Sequence, residues 1–381
     1  MIRRLILFIF LLISISALAE MPQSAGFASV PDDWLLGSGQ NWHYKTGISK
    51  VPRSLKDDIP QLEEIAIVEE AKNILSKSSA KAIALFDGNR IVWQGYKLPA
   101  SSDSRFHSFS VGKTVTSMAI GKAICSNKFS INDLASNLVP ELKGTDLGKS
   151  SVIDLLKMSS GTAPINHDST IMSDEQAIQI SEGKLNYLQL IEDKKINSAQ
   201  REFFGGLRQS GETFDYHSTD PLLLGVILNK TTGTTYAKWV EEQVLIPAGI
   251  GAPAIIGQDH FGFGSSDGNV RMTLSDWVRF AIWVKTNELA DDCFGEYVRK
   301  ASHTQISNSI KREGKAFDGY GYLIWTENNK NNDSYWAVGY GGQRIAWNHS
   351  NQRMLVAFSN VENYMDDLYW LYKRWSAIPS K

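Results

Sequence analysis

Strand-like patterns occupy both ends of this 381-residue chain, and mostly helical patterns fill the stretch between them. Near the start, Ala80–Phe86 and Ile91–Tyr96 flank Asp87-Gly88-Asn89-Arg90, a hairpin signal with Gly-Asn at its tip. Near the end, Tyr320–Glu327, Tyr335–Tyr340, Gln343–Asn348 and Arg353–Asn360 repeat the strand pattern, with Asn348-His349-Ser350-Asn351 as a turn. Segments so far apart in sequence share a sheet only if the two chain ends come together. The prediction is an α/β (α+β) fold: an antiparallel sheet built from both ends, flanked by helices, with a mostly helical lobe inserted. A cleft between two such lobes is where a ligand would sit.

The helical expectations are specific. Leu62, Ile65, Val68, Ile74 and Leu75 fall on one helical face, and a segment over 153–158 stops at Ser159-Ser160-Gly161. Pro221–Asn229 and Tyr236–Leu245 are further helices, and Thr273-Leu274-Ser275-Asp276 caps an apolar one over Trp277–Thr286. A last helix carries Leu368, Leu371 and Trp375, while the polar stretch 160–173 suits a loop. The predicted organisation is a signal peptide at 1–19, an irregular arm at 20–60 and one domain at 61–381. Within that domain the sheet lobe takes 61–105 and 290–381, and the helical lobe 106–289.

The leader follows from charge and length. Arg3-Arg4 precedes an uncharged run from Leu5 to Ala19 that ends Ala17-Leu18-Ala19. A basic start, a short apolar middle and a small-x-small end describe a secretory signal cleaved after Ala19. The run is too short for a membrane span, which needs roughly 20 apolar residues. Export to a periplasm or beyond is expected, with no stable membrane insertion after cleavage. Cys125 and Cys293 are the two cysteines, able to pair in an oxidising compartment or to stay buried and free. Their spacing resembles no metal site. A net charge of −2 with no basic stripe or Lys/Arg run gives no sign of a polyanion, so no nucleic-acid partner is expected. Eleven tryptophans and thirteen tyrosines suit either an aromatic-walled cleft or a large core.

The chemistry gathers at Phe106-His107-Ser108-Phe109-Ser110-Val111-Gly112-Lys113, where a helix-periodic segment begins. Positions i and i+3 of a helix lie on one face about 5–6 Å apart, so Lys113 can reach the Ser110 oxygen. A serine at a helix N-terminus also sits where free N–H groups favour developing negative charge. The spacing alone is cheap: Ser78/Lys81 and Ser181/Lys184 repeat it. Two further stretches give it weight. Thr213-Phe214-Asp215-Tyr216-His217-Ser218 precedes the Pro221 helix and presents Tyr216 and Ser218 on one side. The Tyr216 phenol would carry a proton between Ser110 and a leaving group, although a tyrosine also packs well in a core. His217 beside it would line the pocket as a specificity residue. Then Tyr335-Trp336-Ala337-Val338-Gly339-Tyr340-Gly341-Gly342 ends a strand on glycines, allowing close backbone approach by a substrate.

Together these elements resemble the serine β-lactamase/penicillin-binding-protein superfamily, in particular its class C-like branch of esterases, D-stereospecific peptidases and 6-aminohexanoate-dimer hydrolases. The resemblance runs over about 60–370. It includes Asp154-Leu155-Leu156-Lys157-Met158-Ser159-Ser160-Gly161, Gly211-Glu212-Thr213-Phe214-Asp215-Tyr216, Leu224-Gly225 and Tyr320-Gly321-Tyr322. It implies Ser110 as nucleophile, Lys113 and Tyr216 as general base and acid, and the Ser110 and Tyr340 backbone N–H groups as oxyanion hole. Ser218, His217, Gly339 and Gly341 would contact substrate.

Two departures narrow the activity. The family's K-T-G lysine has no counterpart, whether Ala337-Val338-Gly339 or Tyr340-Gly341-Gly342 takes its place. Ser218 stands where the family has the asparagine of Y-x-N. The resemblance therefore implies an esterase or 6-aminohexanoate-dimer-hydrolase-like amidase acting on a small ester or amide, without metal or organic cofactor. D-Ala-D-Ala-type peptidase, weak β-lactamase and a non-catalytic periplasmic binder are the rivals. Gly264-Ser265-Ser266-Asp267-Gly268 matches G-x-S-x-G, yet it lacks the following helix that a nucleophile elbow needs.

Overall fold

A computed structural model of the chain describes residues 43–162, 174–192, 209–308, 317–327 and 333–379. The expected signal peptide, the first part of the arm and most of the polar stretch 160–173 lie outside them.

Two strands from opposite ends of the chain form the middle of the main sheet. β3 (Ala82–Asp87) pairs antiparallel with β13 (Arg353–Phe358), placing Leu85 opposite Leu355 and Ala82 opposite Phe358. Both are near-continuous apolar runs with almost every residue buried, as strands covered on both faces must be. Among the described residues the sheet has nine strands in the order β2-β4-β3-β13-β12-β11-β10-β9-β8. Here β2 is Lys56–Asp57, β4 Arg90–Tyr96, β8 Ile306–Ser307, β9 Gly319–Tyr320, β10 Trp325–Thr326, β11 Ser334–Gly339 and β12 Gln343–Asn348. Every pairing is antiparallel except β2 with β4. The expected sheet assembled from both chain ends is what forms.

Alternation along β13 assigns the covering helices. Arg353 faces Trp375 of the terminal helix Met365–Ala377, at 4.2 Å from its ring. Phe358, of opposite parity, packs on Trp277 of the helix Leu274–Glu288. That helix was assigned to the inserted lobe; it covers the sheet instead, and Trp347 donates its indole N–H to Ala281 O across the contact (2.9 Å). Cys293–Ser302, counted with the sheet lobe, is a helix packed against Gly112–Cys125. The two lobes thus interleave, because helix–sheet burial follows apolar faces and not the order of segments.

Two other expectations change. The arm contributes structure: β1 (His43–Lys45) joins a small second sheet, ordered β1-β6-β7-β5, with β5 Arg105–His107, β6 Ile255–Gly257 and β7 Val270–Thr273. Tyr320–Glu327 is a tight hairpin, not one strand; Gly321 N–H donates to Ile324 O (2.8 Å), with Leu323 left-handed at φ +56°. The largest aromatics line the core, since Trp277, Trp336, Trp347 and Trp375 are fully buried.

The helix Gly112–Cys125 runs through the interior, nearly all of it buried, and has no polar face. At its C-terminal end Cys125 is joined to Cys293 by a disulfide. No helix among the described residues is long and apolar enough to cross a membrane.

One buried ion cluster ties the ends together. Glu64, in the helix Leu62–Lys77, is fully buried and accepts from Arg353 of β13 (2.8 Å) and Arg90 of β4 (2.5 Å). Burial works against its ionisation, but hydrogen bonds from Arg90, the Gln61 N–H and Arg353 prevail and push its carboxyl down to about 2. Replacing it by Glu64→Gln leaves two guanidinium groups facing a neutral amide in a dry site. The expected loss is about 3–5 kcal/mol in urea unfolding, typical of a broken buried pair. A shift within about 1 kcal/mol would show that this cluster does not hold the ends together.

Candidate active site

The chain leaves β5 through a sharp turn that sets up Ser110. Ser108 N–H donates to Val270 O (2.8 Å) and Val270 N–H to Ser108 Oγ (3.0 Å), pinning the turn to β7. Phe109 then adopts φ +43°, a left-handed conformation costing a residue with a side chain on the order of 1–3 kcal/mol. Its amide donates to His107 Nδ1 (2.9 Å), and its ring lies 4.4 Å from His107 and 5.5 Å from Tyr340. Because Nδ1 accepts, Nε2 carries the proton and donates to Asn269 Oδ1 (3.1 Å). Burial, and then the nearby Arg271 charge, hold this imidazole well below its usual range, so it is neutral.

Ser110 sits in a single 3-10 turn, Phe109–Val111, and the α-helix begins only at Gly112. The nucleophile candidate is therefore one turn ahead of its expected place at the helix start. Its relation to Lys113 survives. Lys113, 2% exposed, donates from Nζ to Ser110 Oγ (3.0 Å) and to Asp267 O (2.6 Å). The same nitrogen stands 5.1 Å from the centre of the Tyr216 ring. Ser110, Lys113 and Tyr216 thus meet in one place. Ser181/Lys184 does not join them, and Lys184 pairs instead with Glu182 at the surface.

Asp267 belongs to the G-x-S-x-G stretch, which is not a nucleophile elbow. Ser266 is fully buried, with its hydroxyl donating to Pro221 O (2.7 Å). The loop instead lines the nucleophile helix: Thr116 Oγ1 donates to Ser266 O (2.6 Å), and a Cβ on Gly112 would fall 2.9 Å from Gly268 Cα. Only two glycines permit that approach. This lining role was missed because a backbone carbonyl acceptor has no residue-type signature. The clustered glycines were the available signal.

Tyr216 arrives on a loop fixed to the end of the short helix Val152–Leu156. Gly211 N–H donates to Ser159 O (2.7 Å) and Asp215 N–H to Met158 O (2.8 Å). Trp325 (5.1 Å) and Tyr320 (6.3 Å, edge-on) flank its ring. Neither was picked out as part of the site from sequence.

The other neighbours of Tyr216 turn inward. His217 is 1% exposed, with Nε2 3.7 Å from Asp220 Oδ1. Ser218, also 1% exposed, directly precedes the helix Thr219–Thr232. Both are as deeply buried as Lys113.

On the opposite side β11 ends at Gly339, and Tyr340–Gly342 form a 3-10 turn. Gly339 allows a close approach, but by the protein itself: a Cβ there would lie 2.5 Å from Ser108 O and 3.2 Å from Val111 N. Gly341, at φ +73°, is buried within the turn. Gln343 Nε2 holds the Tyr340 carbonyl (2.8 Å) and Tyr364 OH holds that of Gly342 (2.8 Å). Tyr340's backbone is thereby fixed next to the Ser110 turn, while its side chain is largely exposed. Among the described residues, no group of three or more His, Cys, Asp or Glu side chains is arranged to hold a metal ion.

This sheet, with helices on both faces and a Ser-x-x-Lys turn at the head of a buried helix, is the β-lactamase/transpeptidase-like fold. The Beta-lactamase family model matches residues 77–377, and the chain belongs to that family. It is 22% identical over 273 residues to the 6-aminohexanoate-dimer hydrolase of Paenarthrobacter ureafaciens, 68% of each protein. A putative 6-aminohexanoate-dimer hydrolase from Bacillus anthracis superposes with a TM-score of 0.66 at 17% identity, over 90% of this chain and 92% of that one. EstCE1, a hydrolase with promiscuous acyltransferase activity, superposes at 0.60 and 14% identity, over 82% and 96%. The chain is a β-lactamase-fold hydrolase.

Gly339→Ala tests the backbone contact. The added Cβ must push β11 from the Ser108 turn, and a displacement of roughly 1 Å at such a site can cost about a hundredfold in rate. Hydrolytic activity is expected to fall on that scale with the far-UV circular dichroism spectrum intact. An unchanged kcat would show that this spacing is not needed.

Proposed function

We propose that this protein is an exported serine hydrolase that cleaves a carboxylic ester or amide through an acyl-enzyme. The observation that carries the reading is one amine nitrogen, Lys113 Nζ, within hydrogen-bond distance of Ser110 Oγ and over the face of Tyr216. Ser110 Oγ attacks the substrate carbonyl while its proton passes to Lys113, which must start this step as the neutral amine. The tetrahedral oxyanion is held by the Ser110 and Tyr340 N–H groups. Tyr216 hands a proton to the leaving alcohol or amine as the C–O or C–N bond breaks, and Lys113 replenishes it. Water then attacks the acyl-Ser110 ester, giving a proton back along the same route and releasing the acid. Atoms and charge balance without metal or organic cofactor.

The substrate class follows from what surrounds these groups. Ala337-Val338-Gly339 ends the strand beside the nucleophile turn and Tyr340-Gly341-Gly342 follows it, and in either register the lysine of K-T-G is missing. That loss disfavours a compact β-lactam and leaves open-chain esters or amides. The names of the similar hydrolases support the same choice. The Cys125–Cys293 disulfide supports export, because such bonds persist in oxidising compartments.

A fluorophosphonate probe is expected to label Ser110 alone and to leave Ser110→Ala unlabelled, as read by peptide mapping. Folded wild-type protein that takes no label would favour a non-catalytic binder. Short-chain p-nitrophenyl esters are expected to turn over faster than a linear amide dimer, and nitrocefin slowest. Rapid nitrocefin turnover would overturn the substrate class. Expressed with its own leader in a bacterial host, the protein is expected in the periplasmic fraction, beginning at Glu20 and without free thiols. A cytoplasmic chain that retains Met1 would refute export.

A further inference from the structure

The four strands of the small sheet carry five basic or imidazole side chains on one face and contain no Asp or Glu. The register puts His107 of β5 directly opposite Arg271 of β7, Arg271 opposite Ile255 of β6, and Ile255 opposite Lys45 of β1. Opposed residues point to the same face, and so do positions two apart on a strand. His43 and Arg105 therefore join Lys45, His107 and Arg271 on it. Arg271 and His107 are both buried. Among the described residues neither Nε nor Nη1 of Arg271 has a hydrogen-bond partner. Burial pulls the guanidinium down to about 9, which leaves it charged at neutral pH.

His107 makes one bond that a protonated imidazole does not. Its Nδ1 accepts the Phe109 N–H (2.9 Å), while its Nε2–H donates to Asn269 Oδ1 (3.1 Å). The first bond reaches two residues along the chain, as an Asx-turn does, and it supports the left-handed Phe109 that directly precedes Ser110. Once protonated, Nδ1 is a donor facing a donor. The bond is then lost, and the strained residue loses its acceptor. The groups that face the ring decide whether this happens. Arg271 lies across the strand pair, His43 further along the same face, and both charges oppose a proton on His107. Asn269 takes the Nε2 proton in either state, and the Phe109 ring, 4.4 Å away, is neutral.

We propose that Arg271 is a positioning residue whose charge keeps His107 a neutral acceptor, and so keeps the turn before Ser110 in its working shape as pH falls. This rests on the reading of Ser110 as nucleophile. Arg271 acts through His107 and not on the reacting atoms. A neutral side chain at 271 would leave every hydrogen bond of the turn in place at high pH and expose it to acid.

The test reads kcat for p-nitrophenyl butyrate as a ratio, Arg271→Gln over wild type, across a pH series. From about pH 8 to about pH 5 this ratio is expected to drop roughly fivefold, since each unit of pKa that His107 regains is tenfold in its neutral fraction at acid pH. Arg271→Lys keeps the charge and is expected to hold the ratio level. His107→Asn supplies an amide oxygen that accepts the Phe109 N–H and does not titrate. In that background Arg271→Gln is expected to change kcat by one factor at every pH. The need for a neutral Lys113 bears on both members of each pair, and an effect of Arg271 on Lys113 would persist with His107→Asn. A level ratio in Arg271→Gln, or a drop that persists with His107→Asn, overturns the assignment. Nitrogen NMR of histidine-labelled protein gives a readout apart from activity, with His107 identified by the signal missing in His107→Asn. Wild-type His107 is expected to stay the Nε2–H tautomer through the series and to take up its proton at higher pH in Arg271→Gln. Should that variant fail to fold, a wild-type His107 that titrates like an exposed histidine still sinks the proposal. Ser110→Ala that turns over the ester refutes acyl transfer through Ser110, while the histidine titration stands or falls on its own.

Discussion

Three stretches of backbone touch at Ser108–Gly112 with no side chain between them, and the rest of the site depends on that contact. β11 comes in at Gly339, where a Cβ would meet Ser108 O, and the 264–268 loop comes in at Gly268, where one would meet Phe109 O. Gly112 completes the set against Gly268. A methyl group at any of the three would separate elements whose polar groups must stay within hydrogen-bond distance. Van der Waals packing tolerates little such displacement, since interiors are as dense as organic crystals. The left-handed Phe109 belongs to the same arrangement. Its strain is offset by the bond to His107 and by the rings of His107 and Tyr340 on either side.

That contact also explains how a long, flexible lysine can be aimed. Lys113 carries several rotatable bonds and would sample many directions in water. Buried at the head of its helix, it has one donor bound to the Asp267 carbonyl and another directed at Ser110 Oγ. The Tyr216 ring covers the Lys113 nitrogen, and Trp325 and Tyr320 set the orientation of that ring. The conformational entropy of the lysine is therefore lost on folding and not at the moment of reaction. A glycine-bounded loop that offers only a carbonyl is as much a part of this aim as the charged residue itself.

Much of this was legible in the sequence where the physics is local. Ser110 and Lys113 are three residues apart, and that spacing brings them together in a 3-10 turn followed by a helix as it would in a helix alone. The 80–96 hairpin and the Thr273 cap, whose hydroxyl accepts from Asp276 N–H, follow from turn and capping chemistry. Tertiary choices were not legible. Tyr320–Glu327 has the composition of one strand, and nothing in leucine announces that Leu323 would turn left-handed. Gly339 signalled a close approach, but its partner is Ser108 and not a substrate. His217 looked like a pocket residue because it follows Tyr216, whereas the chain turns it inward toward Asp220. The assignment of helix Leu274–Glu288 to the sheet depended on Trp277 meeting Phe358, a pairing across 81 residues that no periodicity encodes.

The buried helix behind Ser110 raises a further physical question, since apolar packing does not fix rotation about a helix axis. Hydrophobic contact is non-directional, and a helix buried on all sides could turn by one residue, about 100°, with little loss of buried area. Such a turn would carry Lys113 away from Ser110. Polar side chains on this helix prevent it, because each is bound to a different neighbour. Thr114 donates to Leu323 O (3.3 Å), Thr116 to Ser266 O (2.6 Å), and Ser117 meets Tyr297 OH (3.2 Å). Rotation would strand all three hydroxyls in a dry interior, at roughly 1–3 kcal/mol for each unsatisfied group. The disulfide from Cys125 to Cys293 holds the far end of the helix to the segment that carries Tyr297. The interior hydroxyls therefore set the rotation that apolar burial leaves free, and through it the direction in which Lys113 points.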